Sequence, residues 1–195
     1  MGLKGQRTTA SYLEWDSMLV LLRKLERDEK YKFQLLIAVG CFTGLRISDL
    51  LNLRWNDVLR REYIQVTEGK TKKVRKIMLN PDLCEIIARL HNKMRISDGN
   101  EYLFINRFKT KQINVQYVNR KLKEIAKQYK LAIPLNGTSS HLFRKSLGRH
   151  VWEMNNYSEK SLIMLGDLFN HSSIRTTKAY LGIREQEICD IYLNL

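Results

Sequence analysis

The stretch YKFQLLIAVGCFTGLRISDLLNL, Tyr31 to Leu53, decides the reading of this chain. A largely apolar segment from Tyr31 to Phe42, interrupted by Lys32 and Gln34, predicts a helix. Thr43-Gly44 then supplies a residue able to turn the backbone, and Ser48-Asp49 leads into Leu50, Leu51 and Leu53 as the start of a second helix. The unit is helix, turn, helix, with Arg46 at the corner. Upstream, Ser11-Tyr12-Leu13-Glu14 has capping-box spacing, and Trp15, Met18, Leu19 and Leu22 share one helical face, which predicts a helix near 12–27.

Downstream of the corner the period changes. Glu62 to Thr67 and Val74 to Leu79 are rich in β-branched and aromatic residues and flank the polar tip Glu68-Gly69-Lys70-Thr71-Lys72-Lys73, a β-hairpin with a basic end. Asn80-Pro81 opens a helix with Leu83, Ile86, Ile87 and Leu90 on one face and runs to about Met94. Asn114 opens another, in which Val115, Val118, Leu122, Ile125, Ala126 and Tyr129 form an apolar stripe. Arg120, Lys123, Lys127 and Lys130 form a basic one suited to a phosphate backbone or simply to solvent.

Thr138-Ser139-Ser140 offers N-caps for a helix that carries His141 and Arg144 at i, i+3 and continues toward Met154. Ser158 to Leu168 reads as a helix, Ser172 as the cap of a short one through Lys178, and Gly182 as a stop just after Tyr180. Ile188, Ile191, Tyr192 and Leu195 make a last apolar stripe that needs a partner surface. The fold class is therefore mainly α with a small antiparallel β-sheet, in one domain.

With 34 basic against 20 acidic residues among 195, the formal charge is +14, which attracts polyanions at long range and puts nucleic acid first among partners. The 44% apolar content is enough for a substantial core. Cys41, Cys84 and Cys189 fit neither a disulfide framework nor a zinc-ligand spacing and read as buried free thiols of a reducing compartment. Leu35 to Phe42, the longest apolar stretch, is far below the roughly 18 residues of a membrane span. A cytoplasmic protein that joins the nucleoid when bound to DNA is the expectation, with no membrane span.

The chemistry-bearing residues form an ordered set: Thr43-Gly44-Leu45-Arg46, the hairpin lysine Lys70, the His141-x-x-Arg144 box, and His171 followed by Tyr180. Each has an ordinary reading alone. Arg46 suits an ion pair with Asp49, Lys70 a solvated turn, and Tyr180 core packing. In this order the set resembles the catalytic domain of tyrosine recombinases, similar to integrases of phages and conjugative transposons, over roughly Ser11 to Leu195.

The resemblance implies site-specific strand cleavage and rejoining on double-stranded DNA through a 3′-phosphotyrosyl intermediate, without metal or nucleotide fuel. It implies Tyr180 as nucleophile and Arg46, Arg144 and His171 as donors to the nonbridging oxygens. His141 exchanges the phenol proton, and Lys70 protonates the departing 5′ oxygen, with Lys72 and Lys73 as rivals for that task. Lys72 and Lys73, like the Arg120, Lys123, Lys127 and Lys130 stripe, are expected to meet DNA. The family's N-terminal DNA-binding domain is expected to be missing from these residues, and a tail at about 183–195 to dock on a neighbouring protomer. Two positions depart from the family pattern: Phe143 stands where leucine commonly precedes the second arginine, and Asn170 where glycine is frequent before the histidine. A noncatalytic DNA-binding regulator on the same scaffold and a type IB-like topoisomerase are the alternatives.

Overall fold

A computed structural model describes residues 11–67, 69, 74–183 and 192–193. Among them the chain is mostly helical with one two-stranded antiparallel sheet, as expected. The first helix, α1 (Trp15–Arg27), buries Met18, Leu21, Leu22 and Leu25. Its start differs from the expected capping box: Glu14 occupies the cap and no side-chain cap bond forms. The segment before it is instead tied across the molecule, with the Ser11 amide donating to the Gly137 carbonyl at 3.1 Å and the Leu13 amide to Ser146 Oγ at 2.8 Å.

Helix α2 (Tyr31–Thr43) is the central element and is buried along nearly its whole length. It ends at Gly44, whose φ of 59° lies in the left-handed region, and α3 (Ile47–Leu51) follows directly. The short α4 (Trp55–Val58), absent from the sequence reading, places Trp55 fully in the core. Strands β1 (Tyr63–Thr67) and β2 (Val74–Met78) pair antiparallel with Ile64 opposite Ile77 and Val66 opposite Arg75. Only one face of this ribbon is covered.

Helix α5 (Pro81–Lys93) begins at Asn80, whose side chain caps the Asp82 amide, and α6 (Val115–Gln128) begins at Asn114, which caps the Tyr117 amide. After a 3₁₀ turn at Leu135–Gly137 come α7 (His141–Met154), α8 (Glu159–Phe169) and α9 (Ile174–Leu181). Ser140 flanks α7 without a side-chain cap bond. The amide of Ser140 itself is held by Asn119 Oδ1 of α6 at 2.9 Å, so the start of α7 is fixed by a neighbouring helix rather than by the local Thr-Ser-Ser run. The cap of α9 is Ser173, one residue beyond the expected Ser172, and Tyr180 lies inside this helix.

The apolar core has two parts. A large cluster joins α1 through α6 and reaches Leu142 and Phe143 of α7, and a smaller one joins Leu162, Leu165, Phe169, Leu181 and Ile183. Fully burying a leucine or phenylalanine contributes about 1.5–3 kcal/mol, so α2, the richest contributor to the large cluster, anchors what is attached to it. Phe143 packs against Gly40 of α2, where an added Cβ would come within 2.6 Å of its ring. The larger ring at position 143 thus finds its room in a glycine on the facing helix. Of the cysteines, Cys41 is buried, Cys84 is only half-buried, contrary to expectation, and Cys189 lies outside the described residues. No helix among the described residues is long and apolar enough to cross a membrane.

Candidate active site

A cavity of about 340 Å³ opens between the two apolar clusters and is lined by Arg46, Ile47, Ser48, Ser140, His141, Arg144, Phe169, Asn170, His171 and Tyr180. Five of the six residues singled out as reacting groups therefore share one space. The sixth, Lys70, lies outside the described residues, as do Lys72 and Lys73 and the tail positions Ile188, Ile191 and Leu195. Tyr192 and Leu193 are described and exposed.

Arg46 comes from the α2–α3 corner and Arg144 from the first turn of α7, and both are tied to main-chain carbonyls. Arg144, 6% exposed, donates from Nη1 to Gly44 O at 2.6 Å and from Nη2 to Phe169 O at 3.2 Å. Arg46 Nη2 reaches the same Phe169 oxygen at 3.4 Å. The Arg144 guanidinium also lies 4.5 Å from the Phe169 ring centroid. Burial lowers its pKa from the usual arginine value, with the Tyr180 phenol acting in the opposite sense and Arg46 adding to the shift.

Asn170 closes α8 with φ 54° and ψ 52°. Asparagine is, after glycine, the residue that best tolerates this left-handed conformation, which explains how it stands at a glycine position. The turn sends the His171 amide back to Gly166 O at 2.8 Å and brings the imidazole to the cavity. Its Nδ1 lies 3.1 Å from Thr177 Oγ1. Tyr180 is packed edge-on by His171 at 5.1 Å between ring centroids, by Phe169 at 5.7 Å and by His141 at 6.4 Å.

Burial raises the Tyr180 pKa above the usual phenol value, while Arg144 and then Arg46 oppose the shift. The hydroxyl is buried and no described group meets hydrogen-bond geometry with it, although Arg144 is near enough to act on its charge. Both imidazoles have lowered pKa values: burial first, then Arg144 and Lys145, at His141, and burial first, then Arg144 and Arg46, at His171. At neutral pH the cavity thus holds permanent positive charge, neutral imidazoles and a protonated phenol.

The sequence reading missed Asp49. This carboxylate, 4% exposed, accepts from the Gly69 amide at 3.1 Å and from Ser48 Oγ at 3.3 Å. It ties α3 to the hairpin at the residue that precedes Lys70. The only local signal was an acidic side chain among leucines in a stretch otherwise destined for the core. Of the expected basic stripe, Arg120, Lys123 and Lys127 are exposed on α6, whereas Lys130 lies past the C-cap Tyr129 with φ 50° and so falls off the helix; Arg120 lies 3.9 Å from Glu124.

Residues 12–187 match the model of the phage integrase family. The chain belongs to that family, the tyrosine recombinases. It is 34% identical over 165 residues to the probable integrase/recombinase YoeC of Bacillus subtilis, covering 85% of this chain and 82% of that protein. It is 26% identical over 189 residues to the tyrosine recombinase XerA of Pyrococcus furiosus, covering 95% of this chain and 62% of that protein. Among solved structures, XerA recombinase superposes with a TM-score of 0.70 at 20% identity, covering 94% of this chain and 64% of that one. The Tn1549 transposon integrase in complex with transposon right end DNA gives 0.69 at 19%, covering 96% and 68%. The chain thus spans somewhat under two thirds of XerA.

Proposed function

We propose that this chain is the catalytic part of a site-specific DNA recombinase or integrase, from a mobile element, that cuts and rejoins strands through a phosphotyrosyl intermediate. The observation that supports it is the convergence of two anchored guanidiniums, two imidazoles and a buried phenol on one cavity. Attack on a phosphodiester builds negative charge on the nonbridging oxygens, and in this reading Arg46 and Arg144 receive it by charge-assisted hydrogen bonds. His171 adds a further donor. The phenol oxygen of Tyr180 bonds to phosphorus as the bond to the 5′ oxygen breaks, and the neutral His141 takes the phenol proton. Lys70 supplies a proton to the leaving 5′ oxygen. A 5′ hydroxyl from another strand reverses these steps and releases Tyr180.

Duplex DNA is the partner this reading requires, and the +14 charge suits it. Protomers assembled on the DNA, through the tail at about 183–195, complete the proposal. The test is incubation with a nicked suicide substrate followed by denaturing electrophoresis. Wild type is expected to give a denaturant-resistant protein–DNA adduct, and Tyr180→Phe none while still binding DNA. An adduct of equal yield from Tyr180→Phe refutes the assignment. DNA binding without any wild-type adduct favours a noncatalytic regulator, and relaxation of any supercoiled plasmid without exchange between defined sites favours a topoisomerase.

A further inference from the structure

Thr177 lies on α9 one turn before Tyr180, has 0% exposure, and does not line the cavity. Its Oγ1 stands between the Ser173 carbonyl, an acceptor at 3.4 Å, and His171 Nδ1 at 3.1 Å, which accepts or donates according to the tautomer of the ring. The Ser173 carbonyl already accepts from the amides of Thr176 at 3.1 Å and Thr177 at 3.2 Å. A carbonyl oxygen has two lone pairs, so a third and longest donor gains little there. Nδ1 is the better acceptor for the hydroxyl proton.

The imidazole that receives it is the neutral form, because burial and the charges of Arg144 and Arg46 disfavour a second proton. Neutral imidazole carries a single N–H. If Nδ1 accepts from Thr177, that hydrogen resides on Nε2, the ring nitrogen left for the cavity. Gly166 of α8 backs the arrangement, since a Cβ there would lie 3.3 Å from Thr177 Oγ1.

We propose that Thr177 is a positioning residue that fixes His171 as the Nε2–H tautomer, so that the ring presents a donor rather than an acceptor to a phosphate oxygen in the cavity. The opposite tautomer turns a bare lone pair toward an anion and removes one of the groups that stabilise the charged transition state. The proposal rests on the reading of His171 as a phosphate donor. It adds that the choice of ring nitrogen is made by a hydroxyl outside the cavity.

Two measurements test it. Long-range ¹⁵N–¹H correlation spectra of the full chain without DNA, near pH 7.5, are expected to show His171 protonated on Nε2. A spectrum showing the Nδ1–H form overturns the proposal, and this holds even if the chain never cleaves DNA, so the two failures are separable. In single-turnover cleavage of the suicide substrate, Thr177→Val is expected to lose about tenfold or more in rate with DNA affinity unchanged, the size typical of an orienting hydrogen bond behind a functional histidine. Thr177→Ser, which keeps the hydroxyl, is expected to stay within about threefold of wild type. Equal losses in Val and Ser variants, or wild-type cleavage by Thr177→Val, mean that Thr177 only packs. Should Thr177→Val fail to fold, the wild-type spectrum and Thr177→Ser still decide.

Discussion

The two sides of the candidate site are built differently. On one side, Arg46 and Arg144 project from helices sunk in the core and are held by the Gly44 and Phe169 carbonyls. On the other, the chain approaching Lys70 is a two-stranded ribbon whose outer face is exposed and whose described attachment near the tip is the bond from Gly69 to Asp49. Such a ribbon is marginally stable by itself. Under the proposed assignment the contrast separates tasks: Arg46 and Arg144, which would receive charge at a fixed point, are held from the core, while the strands β1 and β2 on either side of the Lys70 segment are covered on one face only.

The largest expected effect breaks the rigid side. Arg144→Lys keeps the positive charge but loses the planar fork that reaches Gly44 and Phe169 together, and single-turnover cleavage is expected to fall by about 10²–10³-fold. An unchanged rate would show that charge alone suffices. Lys70→Ala is expected to fall by about 10²-fold or more on an ordinary strand. A 5′-bridging phosphorothiolate, a better leaving group, is expected to restore it while leaving Arg144→Lys impaired. Rescue of both variants would erase the division of tasks, and rescue of neither would move the acid role to Lys72 or Lys73.

Gly44→Ala probes the support beneath the clamp. It forces a side chain into the left-handed region and brings a Cβ within 2.7 Å of Leu147 Cδ2. A loss of about 2 kcal/mol or more in denaturant unfolding is expected. The smallest effect is on pH dependence. His141 and His171 have folded pKa values below the ordinary 6.5, so near and below that value the unfolded chain binds more protons. Their contribution to stability is present above about pH 6.5 and is lost as pH falls through their folded values. Unfolding midpoints recorded from pH 8 down to pH 5 check this, and His141→Gln is expected to flatten the slope.

The residues that share the cavity were legible in the sequence because they stand out by type and order: Arg46, His141, Arg144, His171 and Tyr180 needed only to be brought together. Helices with one apolar stripe, such as α5 and α6, were legible for the same local reason. Contacts between distant segments were not. Asp49 gave no sign that it would hold Gly69, and the Thr-Ser-Ser run before His141 suggested a local cap where Asn119 of another helix does the holding. Thr177 belongs to no motif in the sequence. Such roles depend on which segments meet, and periodicity within one segment carries no record of that.

The clamp's reliance on the Phe169 carbonyl has an evolutionary consequence. A backbone oxygen survives every side-chain replacement, so the common support of Arg46 and Arg144 is sheltered from substitutional drift at position 169 itself. What can displace it is a change in the path of the main chain, and the adjoining left-handed residue, Asn170, is where that path is most sharply constrained. Variation in this neighbourhood should therefore be filtered by backbone shape more strictly than by side-chain chemistry.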